Sequence, residues 1–339
     1  MEYRYIGRTG LRVTPICMGT MSFGSWSSKE EAFKILDTAY DRGINFFDTA
    51  ELYPIPPKAE YAGETEKIVG EWLKTKPRDS IILASKAAGA ANGWFSPPIR
   101  HGLTAIDSFH LQRAIEGSLK RLGTDYLDLY QIHWPDELIP KEESQKALDA
   151  LIKAGKVRYI GTSNDSAYGL TKSNTIAGYE KIARFESIQN NFSLLNRRFL
   201  DELANVCRKE KVSLLPYSPI GGGVLSGKYN QSFIDPKTRF GEYLHATESR
   251  QKAMYHRFVN DRTLAATAKY LEIAKKYGMS PVTLAVAWSM HFDFVAATII
   301  GARYASQLEE SFKAFDVVLS KELLSECDKV HQEILYPMG

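Results

Sequence analysis

Apolar residues along the chain fall into short runs suited to strands, at about residues 15–19, 44–49, 80–85, 126–132, 157–162, 186–191, 212–217 and 296–300. Between the runs, apolar positions recur every three or four residues, the period of a helix with one buried face. In SSKEEAFKILDTAYDRG, Ser28 and Glu31 make a capping-box pattern at the start and Gly43 marks the stop. HLQRAIEGSLKRLG puts Leu111, Ala114, Ile115, Leu119 and Leu122 on one face and stops at Gly123. QKALDALIKAGK and RRFLDELANVCRKEK follow the same design. Strand alternating with helix implies parallel strands, because each crossover returns the chain to the same edge.

Eight such units can close into a (β/α)8 TIM barrel, an α/β fold whose active sites lie at the carboxyl ends of its strands. The competing fold, a doubly wound open sheet, usually carries GxGxxG after its first strand, whereas the first run here ends in CMGTMSFG. Before that run, YRYIGRTGLRVTP reads as an N-terminal β-hairpin turning at residues 8–10, placed to plug the bottom of the barrel. Two long stretches, 87–107 and 229–261, read as irregular loops on the catalytic face, the kind that serve as lids.

Composition adds exclusions. With 339 residues and 44% hydrophobic content, the chain is long enough for one barrel, so residues 1–339 are expected to form a single domain. A net charge of +3 without a concentrated basic stretch suggests neither nucleic acid nor anionic membrane as a partner. The segment MEYRYIGRTG has no apolar signal character, and runs such as PVTLAVAW are too short to span a bilayer. Cys17, Cys207 and Cys327 are widely spaced and match no ligand pattern, which fits a reducing cytoplasm and no metal site. The sequence carries no argument for or against an oligomer.

Candidate chemistry sits at the ends of three successive runs: Asp48 and Tyr53 in FFDTAELYP, Lys86 in IILASKA, and His133 in DLYQIHWPD. A tyrosine titrates near pH ~10, so it is a poor acid at neutral pH unless a positive charge favours its phenolate. Lys86 can supply that charge, and Asp48 can hold the lysine, which would be costly to bury alone. An imidazole such as His133 can hydrogen-bond a substrate oxygen or relay a proton. The set contains no nucleophile paired with a base, so the implied reaction is proton transfer to an oxygen, with a cofactor supplying the other half. Each residue alone has an ordinary alternative. Asp48 suits a helix cap, Tyr53 before Pro54 a turn, Lys86 a surface site and His133 a structural role. A metal-dependent hydrolase or isomerase would need clustered ligands at the strand ends, and only His133 and Asp48 are available there.

Nearly end to end, the motifs GTMSFG, NFFDTAELYP, LASK, DLYQIHWPD, GTSN, QNNFSLL, PYSPIGGGVLSGKY and IIGARYASQLEES resemble those of the aldo-keto reductases. The glycine-rich YSPIGGG form resembles the branch of bacterial and plant members related to potassium-channel beta subunits. The resemblance implies a TIM barrel that binds NADPH or NADP+ without a Rossmann domain and acts on a small-molecule carbonyl compound. It implies Tyr53 as general acid, Lys86 and Asp48 as the groups that lower its pKa, and His133 as the group that orients the carbonyl. It assigns Ser163, Asn164 and Gln189 to the nicotinamide carboxamide, and Tyr217 to stacking on the ring. The run Ser218, Pro219, Ile220, Gly221, Gly222 and Gly223 would face the pyrophosphate, while Lys228, Arg303, Gln307, Glu310 and Ser311 would surround the adenosine end, with Arg303 on a 2′-phosphate. Where the family commonly has asparagine, this chain has Ser311. Gly19, Thr20, Met21, Arg239 and Gly301 complete the implied cofactor contacts.

Trp26, Trp94, Phe95 and Trp134 fall in loops expected to overhang the pocket, although each could instead pack its own loop. The alternative function is a regulatory NADPH-binding subunit with little turnover. In that branch the histidine is replaced by asparagine, whereas His133 is present here.

Overall fold

The eight expected runs become eight parallel strands of one sheet. A computed structural model describes residues 2–91 and 95–338, so Trp94 lies outside the described residues. After a hairpin of β1 (Arg4–Tyr5) and β2 (Arg12–Val13) come β3 (Ile16–Gly19), β4 (Phe46–Asp48), β5 (Ile82–Ala87), β6 (Leu127–Ile132), β7 (Val157–Ser163), β8 (Phe185–Gln189), β9 (Ser213–Leu214) and β10 (Thr298–Ile300). They pair in the order β10, β3, β4, β5, β6, β7, β8, β9. Leu214 N–H donates to Phe294 O (2.8 Å) and Leu214 O accepts from Ala296 N–H (3.1 Å), which brings β9 against the residues leading into β10 and closes a (β/α)8 barrel. Contacts divide the chain into two units. One comprises Met1–Asn190, Glu202–Leu215 and Phe294–Leu308; the other comprises Asn191–Asp201, Pro216–Asp293 and Glu309–Gly339.

The first unit holds the barrel and helices α1 (Lys29–Asp41), α2 (Glu64–Leu73), α3 (Ser108–Leu122), α4 (Lys141–Lys153), α5 (Ala167–Glu180) and α6 (Leu203–Glu210). Strand side chains such as Phe46, Phe47, Leu83 and Leu129 are wholly buried, as are Ile35 and Leu36 of α1 and Leu111 and Ile115 of α3. Burying each contributes about 1.5–3 kcal/mol. The hairpin docks at the amino ends of the strands, as expected: Arg8 N–H donates to Glu186 Oε2 (3.0 Å) and Gly7 N–H to Ser213 Oγ (2.8 Å). α3 ends at Gly123, whose φ of 62° makes it a left-handed C-cap.

Three local expectations change. The run 212–217 supplies a strand of only two residues, because Pro216 has no N–H to continue the ladder. Only half of the capping box forms at α1: Ser28 accepts the Glu31 N–H, but the Glu31 carboxylate takes the N–H of Ala305 at 2.8 Å instead. The stretch 229–261 is not irregular throughout. In the second unit it forms α7 (Arg239–Leu244) and α8 (Ser249–Phe258). Thr238 caps α7 by accepting the Gly241 N–H, and Phe240 packs against Tyr229 (5.5 Å) and Phe258 (5.1 Å).

The second unit continues with α9 (Asp261–Lys276), α10 (Pro281–Met290), α11 (Glu309–Phe312) and α12 (Lys321–Glu333). α10 contains the PVTLAVAW run and is buried continuously from Thr283 to Met290, which explains its lack of a polar face. Its Trp288 lies under the Arg197 guanidinium at 4.5 Å, and Arg197 in turn donates to Asp328 on α12 (2.6 Å). No helix among the described residues is long and apolar enough to cross a membrane.

Candidate active site

Asp48 is the last residue of β4. Its carbonyl accepts both the N–H (3.1 Å) and the hydroxyl (3.0 Å) of Thr20, which ties the exit of β4 to that of β3. Its carboxylate points to the barrel interior, where Lys86 Nζ donates to Oδ1 while Gln131 Nε2 and Gln189 Nε2 each donate to Oδ2 at 3.0 Å. Side chains from β4, β5, β6 and β8 thus meet on one carboxylate, which only a closed barrel allows.

Lys86 has no exposed surface, and its Nζ also donates to Thr49 O at 2.8 Å. Burial alone would lower its pKa, but the charges of Asp48 and then Tyr53 outweigh burial and leave it raised, so the side chain remains an ammonium. This charge lies 5.1 Å from the centre of the Tyr53 ring. Tyr53 is half-buried. Its backbone is held on both sides, by its N–H to Ala50 O (3.1 Å) and by the Gly63 N–H to its own carbonyl (2.9 Å). Cys17 is also buried here, its thiol pushed well above its ordinary range by burial and next by Asp48, so it stays protonated.

His133 follows β6 directly, with its N–H donating to Ala87 O (2.9 Å). Its ring stands edge-on to Tyr53, with centres 5.6 Å apart and planes at 82°. Burial, then the Lys86 charge, push the imidazole well below its usual pKa, so it is neutral. Its Nδ1 is buried and has no hydrogen-bond partner among the described residues. Trp134 lies against this ring at 4.7 Å and is fixed by its indole N–H to Ala90 O (2.6 Å); Phe95 stands 5.8 Å from Trp134.

The groups assigned to the nicotinamide carboxamide lie in the same unit. Ser163 donates to Gln189 O (2.7 Å), and Asn164, at φ 54°, donates to His133 O (2.9 Å). The amide nitrogen of Gln189 is committed to Asp48 and to Gln131 Oε1 (3.2 Å). Gly19 has a packing reason as well: a Cβ there would stand 2.7 Å from Ile299 Cγ2. The carbonyl of Met21 accepts the Ile55 N–H (3.0 Å). At Gly301 a Cβ would meet nothing nearer than Gly19 O at 3.9 Å. Arg303 places its guanidinium 4.6 Å above Trp26, and its N–H is capped by Gln307 Oε1 at 2.9 Å. Trp26, expected over the substrate, is therefore partnered with the residue assigned to the 2′-phosphate.

In the second unit, Tyr217 pairs with Asn191 through an isolated parallel bridge. Ser218 (φ 55°), Gly221 (57°), Gly222 (64°) and Gly223 (100°) adopt left-handed backbone, for which glycine pays no steric penalty. The N–H groups of Gly221 and Gly223 bond within the turn, to Ser218 O (2.9 Å) and Ile220 O (3.0 Å). Two cations flank it: a Cβ on Gly223 would meet Lys228 Nζ at 3.0 Å, and one on Gly222 would meet Arg239 Nη1 at 3.6 Å. Glu310 is engaged by Lys313 (2.6 Å) and Thr283, while Ser311 is buried.

Sequence reasoning missed Gln131, Glu51 and Arg100. Gln131 had a signal, an amide inside the apolar run LDLYQI, and it stands beside Lys86 in register. Glu51 and Arg100 had none, being 49 residues apart and unremarkable until folded together.

Residues 15–332 match the Aldo/keto reductase family. The chain is 38% identical to Protein tas of Escherichia coli (strain K12), over 99% of each chain. It is 34% identical to the Bacillus subtilis (strain 168) protein called Uncharacterized oxidoreductase YrpG, over 96% of this chain and 94% of that one. A rice (Oryza sativa subsp. japonica) protein named Probable voltage-gated potassium channel subunit beta is 31% identical, over 98% of this chain and 97% of its own. These relatives fall in the branch that the glycine-rich motif pointed to. A match covering residues 15–332, with relatives above 30% identity over nearly their whole lengths, means that this chain belongs to the aldo/keto reductase family and is an oxidoreductase of carbonyl compounds.

Proposed function

We propose that the protein is an NADPH-dependent reductase of aldehydes and ketones, reversible in direction, with Tyr53 as its general acid. The observation that carries this reading is Lys86, a buried ammonium held by Asp48 and lying 5.1 Å from the Tyr53 ring. An adjacent positive charge favours the phenolate, so the phenol gives up its proton to a carbonyl oxygen more readily than a free tyrosine of pKa ~10. Neutral His133, edge-on to Tyr53, can hydrogen-bond that same oxygen and orient it. Bound nicotinamide supplies the hydride in this direction and accepts it in the other. Ser163, Asn164 and Gln189 are assigned to its carboxamide, and Gly19, Thr20, Met21 and Gly301 to close backbone contacts. Trp134 and Trp26 border the pocket in this reading, as does Trp94, whose position lies outside the described residues.

The donor set of the second unit, taken by itself, suits phosphate. Four of the six residues from Ser218 to Gly223 are left-handed, which lets the backbone approach an anion, and Lys228 and Arg239 add charge beside it. Tyr217 is assigned to stacking on the nicotinamide. Arg303 and Gln307 of the first unit, and Glu310 and Ser311 of the second, are assigned to the adenosine end. We read residues 1–339 as one domain acting in the cytoplasm on a small-molecule carbonyl compound. Three free, buried cysteines are compatible with that setting. A regulatory cofactor-binding subunit with little turnover is the second reading, the rice relative being named a probable voltage-gated potassium channel subunit beta; the imidazole of His133 favours turnover.

NADPH consumption over a panel of aldehydes, ketones and sugars tests the proposal. Tyr53→Phe is expected to lose on the order of 10²–10⁴ in rate while still binding NADPH. Wild-type turnover by that variant, on a substrate whose chemistry is slow, would remove Tyr53 from the mechanism.

A further inference from the structure

Glu51 stands between Asp48 and Tyr53 in the chain and is 3% exposed. Its N–H donates to Lys86 O (3.3 Å), and its Oε1 accepts the N–H of Ala88, two residues beyond Lys86, at 2.7 Å. Arg100 closes the arrangement. Its Nη1 donates to Glu51 Oε2, and its Nη2 donates both to Glu51 Oε1 and to Ala88 O, each at 3.0 Å. Arg100 and the next residue, His101, have φ of 48° and 55°, a backbone conformation disfavoured for residues with a Cβ. The turn that delivers the guanidinium is therefore held by the contacts it makes. One buried carboxylate ties together the loop that leads to Tyr53, the exit of the strand that carries Lys86, and the returning limb of the 87–107 segment.

We propose that Glu51 and Arg100 are positioning residues whose buried bracket holds Tyr53 and Lys86 at working distance. The inference rests on the general-acid reading. Neither residue touches substrate or cofactor in it. They act by preventing the two strand exits from drifting apart, and a misplacement of about 1 Å at a reacting centre costs on the order of a hundredfold.

The test is Arg100→Met, with Glu51→Gln/Arg100→Met as the version that leaves no unpaired buried charge should the single variant fold poorly. Both are expected to lower kcat roughly ten- to a hundredfold with little change in the KM for NADPH, and to speed hydrogen exchange at residues 49–53 and at Ala88. A purely structural bracket would lower the unfolding temperature and leave kcat, measured well below it, untouched. Faster exchange with wild-type kcat therefore overturns the inference, as does unchanged exchange. The two failures are distinguishable. A wild-type protein that reduces no member of the carbonyl panel fails the general-acid reading and takes the bracket's role with it. An active wild type whose variants stay fully active fails the bracket alone.

Discussion

Asp48→Asn probes the charge buried in the barrel. In the wild type three donors converge on two carboxylate oxygens: Lys86 Nζ on one, and the amides of Gln131 and Gln189 on the other. Asparagine offers one oxygen and adds two donors, so either the ammonium or the glutamines lose their acceptor. Lys86 is then left with the Thr49 carbonyl at 2.8 Å and no negative charge in a site without exposed surface. Breaking one side of a buried pair costs about 3–5 kcal/mol, out of a total stability of roughly 5–15 kcal/mol. The pH dependence separates this cause from a packing defect. In the wild type the raised Lys86 pKa means that the folded protein holds the proton more tightly than the unfolded chain; that stabilisation is complete below the ordinary 10.5 and is lost as pH rises through the raised value. In the variant, burial has lost its main counterweight, the Asp48 charge, and the folded pKa is expected to fall below 10.5. The unfolded chain then binds more proton, and the variant gains stability as pH rises toward that value. Urea unfolding between about pH 7 and pH 10 should therefore show a deficit that shrinks with pH. A deficit equal across that range, or below about 1 kcal/mol at neutral pH, would refute the argument. Asp48→Asn/Lys86→Met, which removes both charges, is expected to recover much of the loss.

Arg303→Ala should weaken NADPH by roughly ten- to a hundredfold and NADH much less, the worth of a charge-assisted bond to the 2′-phosphate, and equal weakening in a titration of both would show that Arg303 is not reading that group. Because His133 is held neutral in the folded state, the unfolded chain alone takes up its proton below about pH 6.5; stability should fall there by up to about 1.4 kcal/mol per pH unit, and His133→Asn should flatten the slope in acid unfolding curves. NADPH should slow hydrogen exchange in 229–261 chiefly outside the helices already formed at Arg239–Leu244 and Ser249–Phe258, and identical exchange with and without the cofactor would show that the segment does not respond to it.

The sequence by itself determined the alternation of strands and helices, the parallel pairing that follows from it, and the stops at positions such as Gly123. These depend on period, capping and turn chemistry within a few residues, and such signals survive being read one at a time. It also singled out Asp48, Tyr53, Lys86 and His133 as candidates, because the proposed chemistry needs those residue types where strands end. Tertiary structure decided the partners. Asp48 meets Gln131 and Gln189 from 83 and 141 residues away only because the sheet closes on itself. Glu51 finds Arg100 only once the 87–107 segment folds back. Glu31 left its own helix start for Ala305, and the polar stretch 239–258 formed two short helices around Phe240, Tyr243 and Phe258, a cluster no local period announces. A buried polar group must find a partner wherever the fold offers one, and which atoms stand within about 3 Å is settled by the closed barrel and its loops, since neighbours in the chain do not specify it.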